Sequence, residues 1–286
     1  MSTAAGARDA VRIFHVSDMH FGKPADADMV LAIEAHIRED RYDIVAVSGD
    51  LTQRARAWEF RQARAFLERA ASVSSVIAVP GNHDVKWWRS PLHLVGQDAI
   101  HSAWQRHLGR EREPVLRVPG VTLVGLNTAQ GVSFRTLTTR PRDISIIGDL
   151  RRMQIERAHH AFTESPQGDA RVIVMHHNPV KGELSQRHGL KHTQRILGAF
   201  AQIGVDLILC GHDHQEAIHF VEHTKRGTVI STAGTVSNRS RGGRPSSVNV
   251  VTITAAAITV HTLTWSYRRH ELLHGASRTF ARHAVD

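Results

Sequence analysis

Five short stretches of the 286-residue chain carry side chains able to bind cations or move protons, and each follows directly on an apolar run. Asp18 and His20 lie in HVSDMHFG, Asp50 in VSGDL, Asn82, His83 and Asp84 in VPGNHD, His176 and His177 in VMHHNP, and His212 and His214 in LCGHDH. Carboxylate, imidazole and amide oxygen, with no thiolate among them, form a donor set suited to Mn, Fe or Zn and unlike the cysteine-rich structural zinc sites. The chemistry expected of such a set is catalytic. The spacings Asp-x-His and His-x-His put alternate residues of an extended segment on one side, so each pair is expected to reach a common centre while Met19 or Asp213 turns away. Gly49, Gly81 and Gly211 precede these residues, where tight turns form most easily without a Cβ.

The apolar, β-branched runs ahead of the motifs read as buried strands over 12–17, 43–48, 76–80, 171–176 and 206–210, with a further one over 121–126. Amphipathic helices are expected between them over 28–39, 53–71, 97–108, 150–163 and 193–203. The first two-thirds therefore reads as repeated βα units with a largely parallel sheet, whose carboxyl strand ends form a crevice where residues distant in sequence converge. After Cys210 four strand-like runs, 217–222, 228–232, 248–253 and 258–265, follow with only turns between, which predicts an antiparallel or mixed second sheet. The expected architecture is α/β, a four-layer αββα sandwich of two packed mixed sheets flanked by helices. It forms one domain over 1–286, with a core over 10–265 and a C-terminal extension over 266–286.

The series DMH, GD, GNHD, HH and GHDH, in this order and with these gaps, resembles the calcineurin-like metallophosphoesterase family. The resemblance covers about residues 10–265, because TAGTVSNRSRGGRPSSVN also resembles the family's stretch after the last ligand pair. It implies two divalent metal ions, one held by Asp18, His20, Asp50 and His214 and the other by Asp50, Asn82, His176 and His212, with Asp50 bridging. A metal-bridging hydroxide would attack phosphorus in line. His83 matches the family residue that contacts the phosphoryl group or protonates the leaving alkoxide, and Asn82 lies beside it at the substrate. Asp84 would orient His83. The family pattern favours His176 over His177 as the ligand, leaving His177 to shape the substrate pocket, although spacing alone does not separate the two. Departures are mild: Met19 stands where leucine is common, and Asn178 intervenes before Pro179.

Within the family, GNHD, GHDH and the tail after TAGT resemble the class III cyclic-nucleotide and glycerophosphodiester phosphodiesterases, which implies a small anionic phosphate-ester substrate. Two other enzyme readings stand beside it: a pyrophosphatase of a nucleotide-linked lipid precursor, and a nuclease. A binding scaffold that had lost the reaction would have lost ligands, and all seven ligand positions and His83 are present.

Composition agrees with a folded enzyme. Hydrophobic residues make up 41% and charged residues 22%, close to globular averages. Cys210 is the single cysteine, which excludes an intrachain disulfide, and the start of the chain shows charges rather than the apolar stretch of a secretory signal, so a cytoplasmic setting is expected. No run of about 18 apolar residues spans a bilayer, while peripheral membrane contact stays open. The net charge of +9 favours anionic partners, without a pattern specific to nucleic acid. Trp87, Trp88 and Trp104 read equally as pocket lining or core. Arg135, Arg140 and Arg142, like Arg239, Arg241 and Arg244, suit phosphate or carboxylate. Cys210 is expected to pack rather than react. His36, His93, His101, His107, His159, His160, His188 and His192 are expected to lie outside the centre.

Overall fold

Alternation along the buried strands decides the layering. In β1 (Val11–Val16), Val11 and Ile13 join one apolar cluster while Phe14 and Val16 join another. In β2 (Ile44–Val47), Ile44 and Ala46 separate from Val45 and Val47 in the same way. On the far side, β6 (Ala170–His177) and β7 (Leu207–Gly211) send Val172, Val174, Leu207 and Leu209 to the first of these clusters, and Ile173, Met175, Ile208 and Cys210 to a third. Strands apolar on both faces must be covered twice. The shared cluster is the seam between two sheets, and the other two are roofed by helices. Met29 and Ile33 of α1 (Ala27–Asp40), Phe60 and Phe66 of α2 (Ala57–Ala71) and Trp104 of α3 (Asp98–Leu108) pack on one sheet. Phe162 of α4 (Arg152–Thr163) and Ile196 and Phe200 of α5 (Thr193–Gln202) pack on the other.

The result is the expected four-layer αββα sandwich. The computed structural model describes residues 10–136, 146–183, 186, 189–223 and 227–282. The remaining strands are β3 (Ser75–Ala78), β4 (Val115–Val118), β5 (Val121–Leu126), β8 (Ala217–Glu222), β9 (Gly227–Thr232), β10 (Ser247–Ile253), β11 (Ala257–Ser266) and β12 (Glu271–Ala281). One six-stranded sheet runs β12-β11-β10-β1-β2-β3 and the other β4-β5-β6-β7-β9-β8. The pairs β1–β2 and β2–β3 in one sheet, and β5–β6, β6–β7 and β7–β9 in the other, are parallel. No helix among the described residues is long and apolar enough to cross a membrane.

One expectation is corrected. The four strands after Cys210 do not build a second sheet of their own: β8 and β9 complete the sheet of β5–β7, whereas β10 and β11 extend the sheet of β1–β3. Each sheet therefore mixes early and late strands, because β1 presents an open edge onto which β10 pairs antiparallel, with Phe14 opposite Val250. Strands β4 and β12 are additional to those expected. Both are edge strands, β4 only part-buried and β12 mostly exposed, so the apolar alternation that marks the others is absent. β12 nonetheless pairs along β11, Ile258 opposite Phe280, and Phe280 stacks on Phe220 of β8 with ring centroids 5.3 Å apart.

The carboxyl ends of β1, β2, β3, β6 and β7 open at one end of the sandwich. A cavity of about 540 Å³ lies at the opposite end, lined by Val11, Asp43, Ser75 and Val118 among others, and contains none of the motif residues.

Leu209 is fully buried in the seam. Leu209→Ala is expected to lower unfolding free energy in urea by about 2–5 kcal/mol with an unchanged denaturant slope.

Candidate metal centre

Side chains from five strand-end loops meet in two overlapping groups. In the first, His214 Nε2 lies 3.2 Å from Asp18 Oδ1 and 3.0 Å from His20 Nε2, and His20 Nε2 lies 3.8 Å from Asp18 Oδ1 and 3.9 Å from Asp50 Oδ2. In the second, His176 Nε2 lies 3.3 Å from Asp50 Oδ2 and 3.1 Å from Asn82 Oδ1, while His212 Nδ1 lies 3.0 Å from Asn82 Oδ1 and 3.3 Å from His176 Nε2. Asp50 Oδ2 belongs to both groups. His83 meets His20 edge-on, ring centroids 4.8 Å apart. His177 also approaches: ring nitrogens of His176, His177 and His212 fall within 4.8 Å of one another.

Each central carboxylate is divided between two tasks. Asp18 Oδ2 accepts the backbone N–H of His212 at 2.9 Å, which leaves Oδ1 facing the cluster. Asp50 Oδ1 accepts the N–H of His83 at 2.8 Å, which leaves Oδ2 facing it. The backbone achieves this by leaving the extended form, a correction to the pleat argument. Asp18, His20, Asp50, His212 and His214 all lie in the left-handed region, with φ of 53°, 49°, 51°, 75° and 55°. Non-glycine residues pay strain there and cluster at functional sites. Two of the glycines matter for close approach. Gly49, at φ 97°, would place a Cβ 2.7 Å from His176 Nδ1, and a Cβ on Gly81 would overlap Asp50 Oδ1.

Proton positions test whether cations suit these residues. His176 Nδ1 donates to Ser48 O at 2.8 Å and His214 Nδ1 to Arg239 O at 3.1 Å, so in its neutral form each ring directs the Nε2 lone pair into the cluster. Asp18 Oδ1 is buried without a hydrogen-bond donor among the described residues. Lone pairs facing one another at such distances repel unless positive charge lies between them. Burial pushes His20 and His212 down to about 3, keeping them neutral as metal ligands must be. Burial would raise Asp18 and Asp50, yet neighbouring imidazoles, His214 for Asp18 and His176 for Asp50, hold both below the usual carboxylate range. Burial would lower His176, but Asp50 outweighs it and raises His176 to about 9, so without a cation a proton lies between His176 Nε2 and Asp50, and a metal at that nitrogen would displace it. The cluster thus draws positive charge to its centre, and the residues fit a pair of divalent cations sharing Asp50.

Around these seven, the structure sorts the other expected residues. Asp84 does not touch the His83 ring. Its carboxylate accepts from Leu51 N, Thr52 N, Thr52 Oγ1 and Gly81 N, at 3.2, 2.7, 2.8 and 2.9 Å, clamping the Asp50 loop to the Gly81 loop. Burial and the adjacent Asp50 push it up to about 6. Gln53 O instead accepts from His83 Nδ1 at 2.8 Å. His177 Nδ1 lies 2.7 Å from Thr128 Oγ1. Thr128, Ser48, Gln53 and His15 also support the centre, although the motifs assign them no role. Thr128 lies just after the apolar run VTLVGL; Thr235, within the TAGT stretch, donates from Oγ1 to Asp18 O at 2.7 Å. His15, buried beneath the centre, lies 2.9 Å from Ser48 Oγ through Nε2.

Trp104 is core, Trp87 half-buried and Trp88 exposed. His36, His93 and His101 bond to Tyr42, Gln130 O and Asn127, outside the centre. Arg135 pairs with buried Asp149; Arg140, Arg142 and His188 lie outside the described residues. Cys210 packs in the helix-covered layer, its thiol pushed up to about 12 by burial.

The sequence matches the family model "Calcineurin-like phosphoesterase" over residues 11–216. Among solved structures, the fold is similar to a purple acid phosphatase from yellow lupin (Lupinus luteus) seeds, at 12% identity and TM-score 0.67 over 96% of this chain and 54% of that one. It is similar to PhoD, at 10% identity and TM-score 0.64 over 96% and 70%, and to a dimetal phosphatase from Danio rerio, at 13% and 0.61 over 92% and 98%. At these identities the likeness is one of fold, and the chain spans about half the length of the lupin protein. No curated protein sequence matches the chain.

Gly81→Ala is expected to push Asp50 out of register, so that manganese binding measured by calorimetry weakens at least about tenfold while far-ultraviolet circular dichroism stays unchanged.

Proposed function

Because the chain belongs to the calcineurin-like phosphoesterase family, whose reaction is metal-dependent hydrolysis of phosphate esters, we propose that it cleaves a phosphodiester of a small anionic compound, such as a cyclic nucleotide or a glycerophosphodiester. Asp18, His20, Asp50 and His214 would hold one divalent cation, and Asp50, Asn82, His176 and His212 the other, with Mn, Fe or Zn all matching the donors. The observation that carries this reading is the position of Asp50 Oδ2, close to donors of both groups, His20 at 3.9 Å and His176 at 3.3 Å. When bound, such a cation pair lowers the pKa of water and stabilises the charge that develops on the attacking and leaving oxygens.

The chain's own residues supply the rest. The bond from His83 Nδ1 to Gln53 O keeps a proton on that nitrogen, so Nε2 carries one only in the imidazolium form. In that form His83 donates from Nε2 to the departing alkoxide, and afterwards the neutral ring regains a proton from solvent. Asn82, within the second cation group, and His177, beside it, bound the pocket in which the phosphoryl group sits. Asp84 acts through the backbone: by clamping the loops of Asp50 and Gly81 it keeps His83 N–H on Asp50 Oδ1.

A second reading has one observation in its favour. Trp88, Leu94 and Val95, on the segment that follows the His83 loop, are 55%, 76% and 74% exposed, an apolar surface suited to the acyl part of a nucleotide-linked lipid pyrophosphate.

Chelation of the purified protein is expected to reduce hydrolysis of bis(p-nitrophenyl) phosphate to background, and added manganese to restore it. The same metal-loaded protein, assayed on cyclic nucleotides, glycerophosphodiesters and nucleotide-lipid pyrophosphates, decides the substrate class. Two bound metal equivalents with no turnover of any of these would sink the hydrolase reading. His83→Ala is expected to retain both metals by elemental analysis while kcat falls about 10²–10⁴-fold for alkyl leaving groups, with a smaller loss for p-nitrophenolate, which departs without a proton.

A further inference from the structure

We propose that Arg239 contacts the substrate, holding an anionic oxygen of the phosphoester at the rim of the metal centre; the inference rests on the phosphoesterase reading and adds a residue to it. The arginines near the centre separate by partner. Arg135 pairs with Asp149, Arg241 lies 3.3 Å from Asp213 Oδ1, and Arg244 lies 2.9 Å from Glu183 and 3.5 Å from Glu216. Their charge is already met by carboxylates. Arg239 is exposed, and among the described residues its guanidinium donates to a neutral group, Gln53 Oε1, at 3.0 Å.

Its location is what gives the unquenched charge a use. Arg239 O accepts from His214 Nδ1 at 3.1 Å, His214 Nε2 lies 3.0 Å from His20 Nε2, and the His20 ring meets His83 edge-on at 4.8 Å. His83 Nδ1 then donates to Gln53 O, and the Gln53 side chain returns to the Arg239 guanidinium. The circuit closes: Arg239, His214, His20, His83 and Gln53 form one ring of contacts at the edge of the cluster. The backbone on the approach to Arg239 is also fixed, since Asn238 N donates to Pro24 O at 2.9 Å and Ser237 bridges to Ala25. A cation held this way is organised before any ligand arrives, so little ordering cost remains when an anion binds. The bond to Gln53 uses one of five guanidinium N–H donors, and the planar fork suits two oxygens of one phosphate group.

The probe is inorganic phosphate, titrated calorimetrically into the manganese-loaded full chain, alongside elemental analysis and steady-state turnover of bis(p-nitrophenyl) phosphate. Arg239→Ala is expected to weaken phosphate at least about tenfold and to raise KM more than it lowers kcat. Arg239→Lys is expected to recover part of the affinity, because it keeps the charge and loses the fork. Arg244→Ala, removing an arginine whose charge is already paired, is expected to stay within about twofold of the parent protein. Manganese content should be unchanged in all three, since the carbonyl that holds His214 remains. Equal phosphate affinity in Arg239→Ala, a loss of manganese that tracks the loss of phosphate, or no phosphate binding by the parent protein would each overturn the proposal. An inactive parent protein whose phosphate affinity still depends on Arg239 would instead sink the hydrolase reading and leave the anion contact standing.

Discussion

The divided carboxylates of Asp18 and Asp50 are the constraint from which the rest of the centre follows. One oxygen of each accepts a backbone N–H from another loop, and only then is the other free to face the cluster. The Asp18 bond runs from the loop after β1 to the loop after β7, and so joins the two sheets. His176, at the end of β6, donates back to Ser48 O after β2 and joins them again. The centre is therefore a seam between sheets as much as a site, and the apolar cluster that packs the sheets together is what holds the donors at their distances. Motion of one sheet against the other would part both donor groups at Asp50.

This arrangement is expensive by itself. Five of its residues sit in left-handed backbone, and buried lone pairs face one another across about 3 Å. Three apolar clusters, with Phe14, Phe60, Phe66, Phe162, Phe200 and Trp104 fully buried, offset that cost. Asp84 adds a further clamp, its carboxylate accepting four hydrogen bonds from the backbone and one side chain of adjoining loops. A centre so braced asks for positive charge and yields little in shape, which suits a reaction in which charge shifts between oxygens while the donors stay fixed.

Some relations were beyond a linear reading for identifiable reasons. Adjacency in sequence suggested that Asp84 orients His83, yet in the short 3₁₀ turn of Asn82–Asp84 the two side chains part, and a main-chain carbonyl, Gln53 O, does the orienting. Carbonyls are present at every position, so composition cannot mark the ones that matter: Ser48 O, Gln53 O and Arg239 O each fix a histidine ring without any residue signature. Sheet membership was hidden similarly. β10 reads as well as a neighbour of β9 as of β1, and only the pairing of Phe14 with Val250 across an open edge assigns it. β12, exposed and rich in polar residues, pairs through its backbone and leaves no apolar pattern to read.

The sequence alone determined which groups could do chemistry and in what order they occur. Apolar runs, each ending in a carboxylate, an amide or an imidazole, specify buried strands whose polar ends must find partners, because such groups cannot be left in an apolar layer unsatisfied. Tertiary structure decided how they meet: which oxygen of Asp18 and Asp50 faces the centre, which nitrogen of each histidine is turned inward, and that Arg239, alike in sequence to Arg241 and Arg244, is the one set beside a neutral partner. The physical reason is that residue type fixes what a side chain can donate or accept, whereas its direction and its counter-charge depend on backbone groups and neighbours supplied from distant parts of the chain.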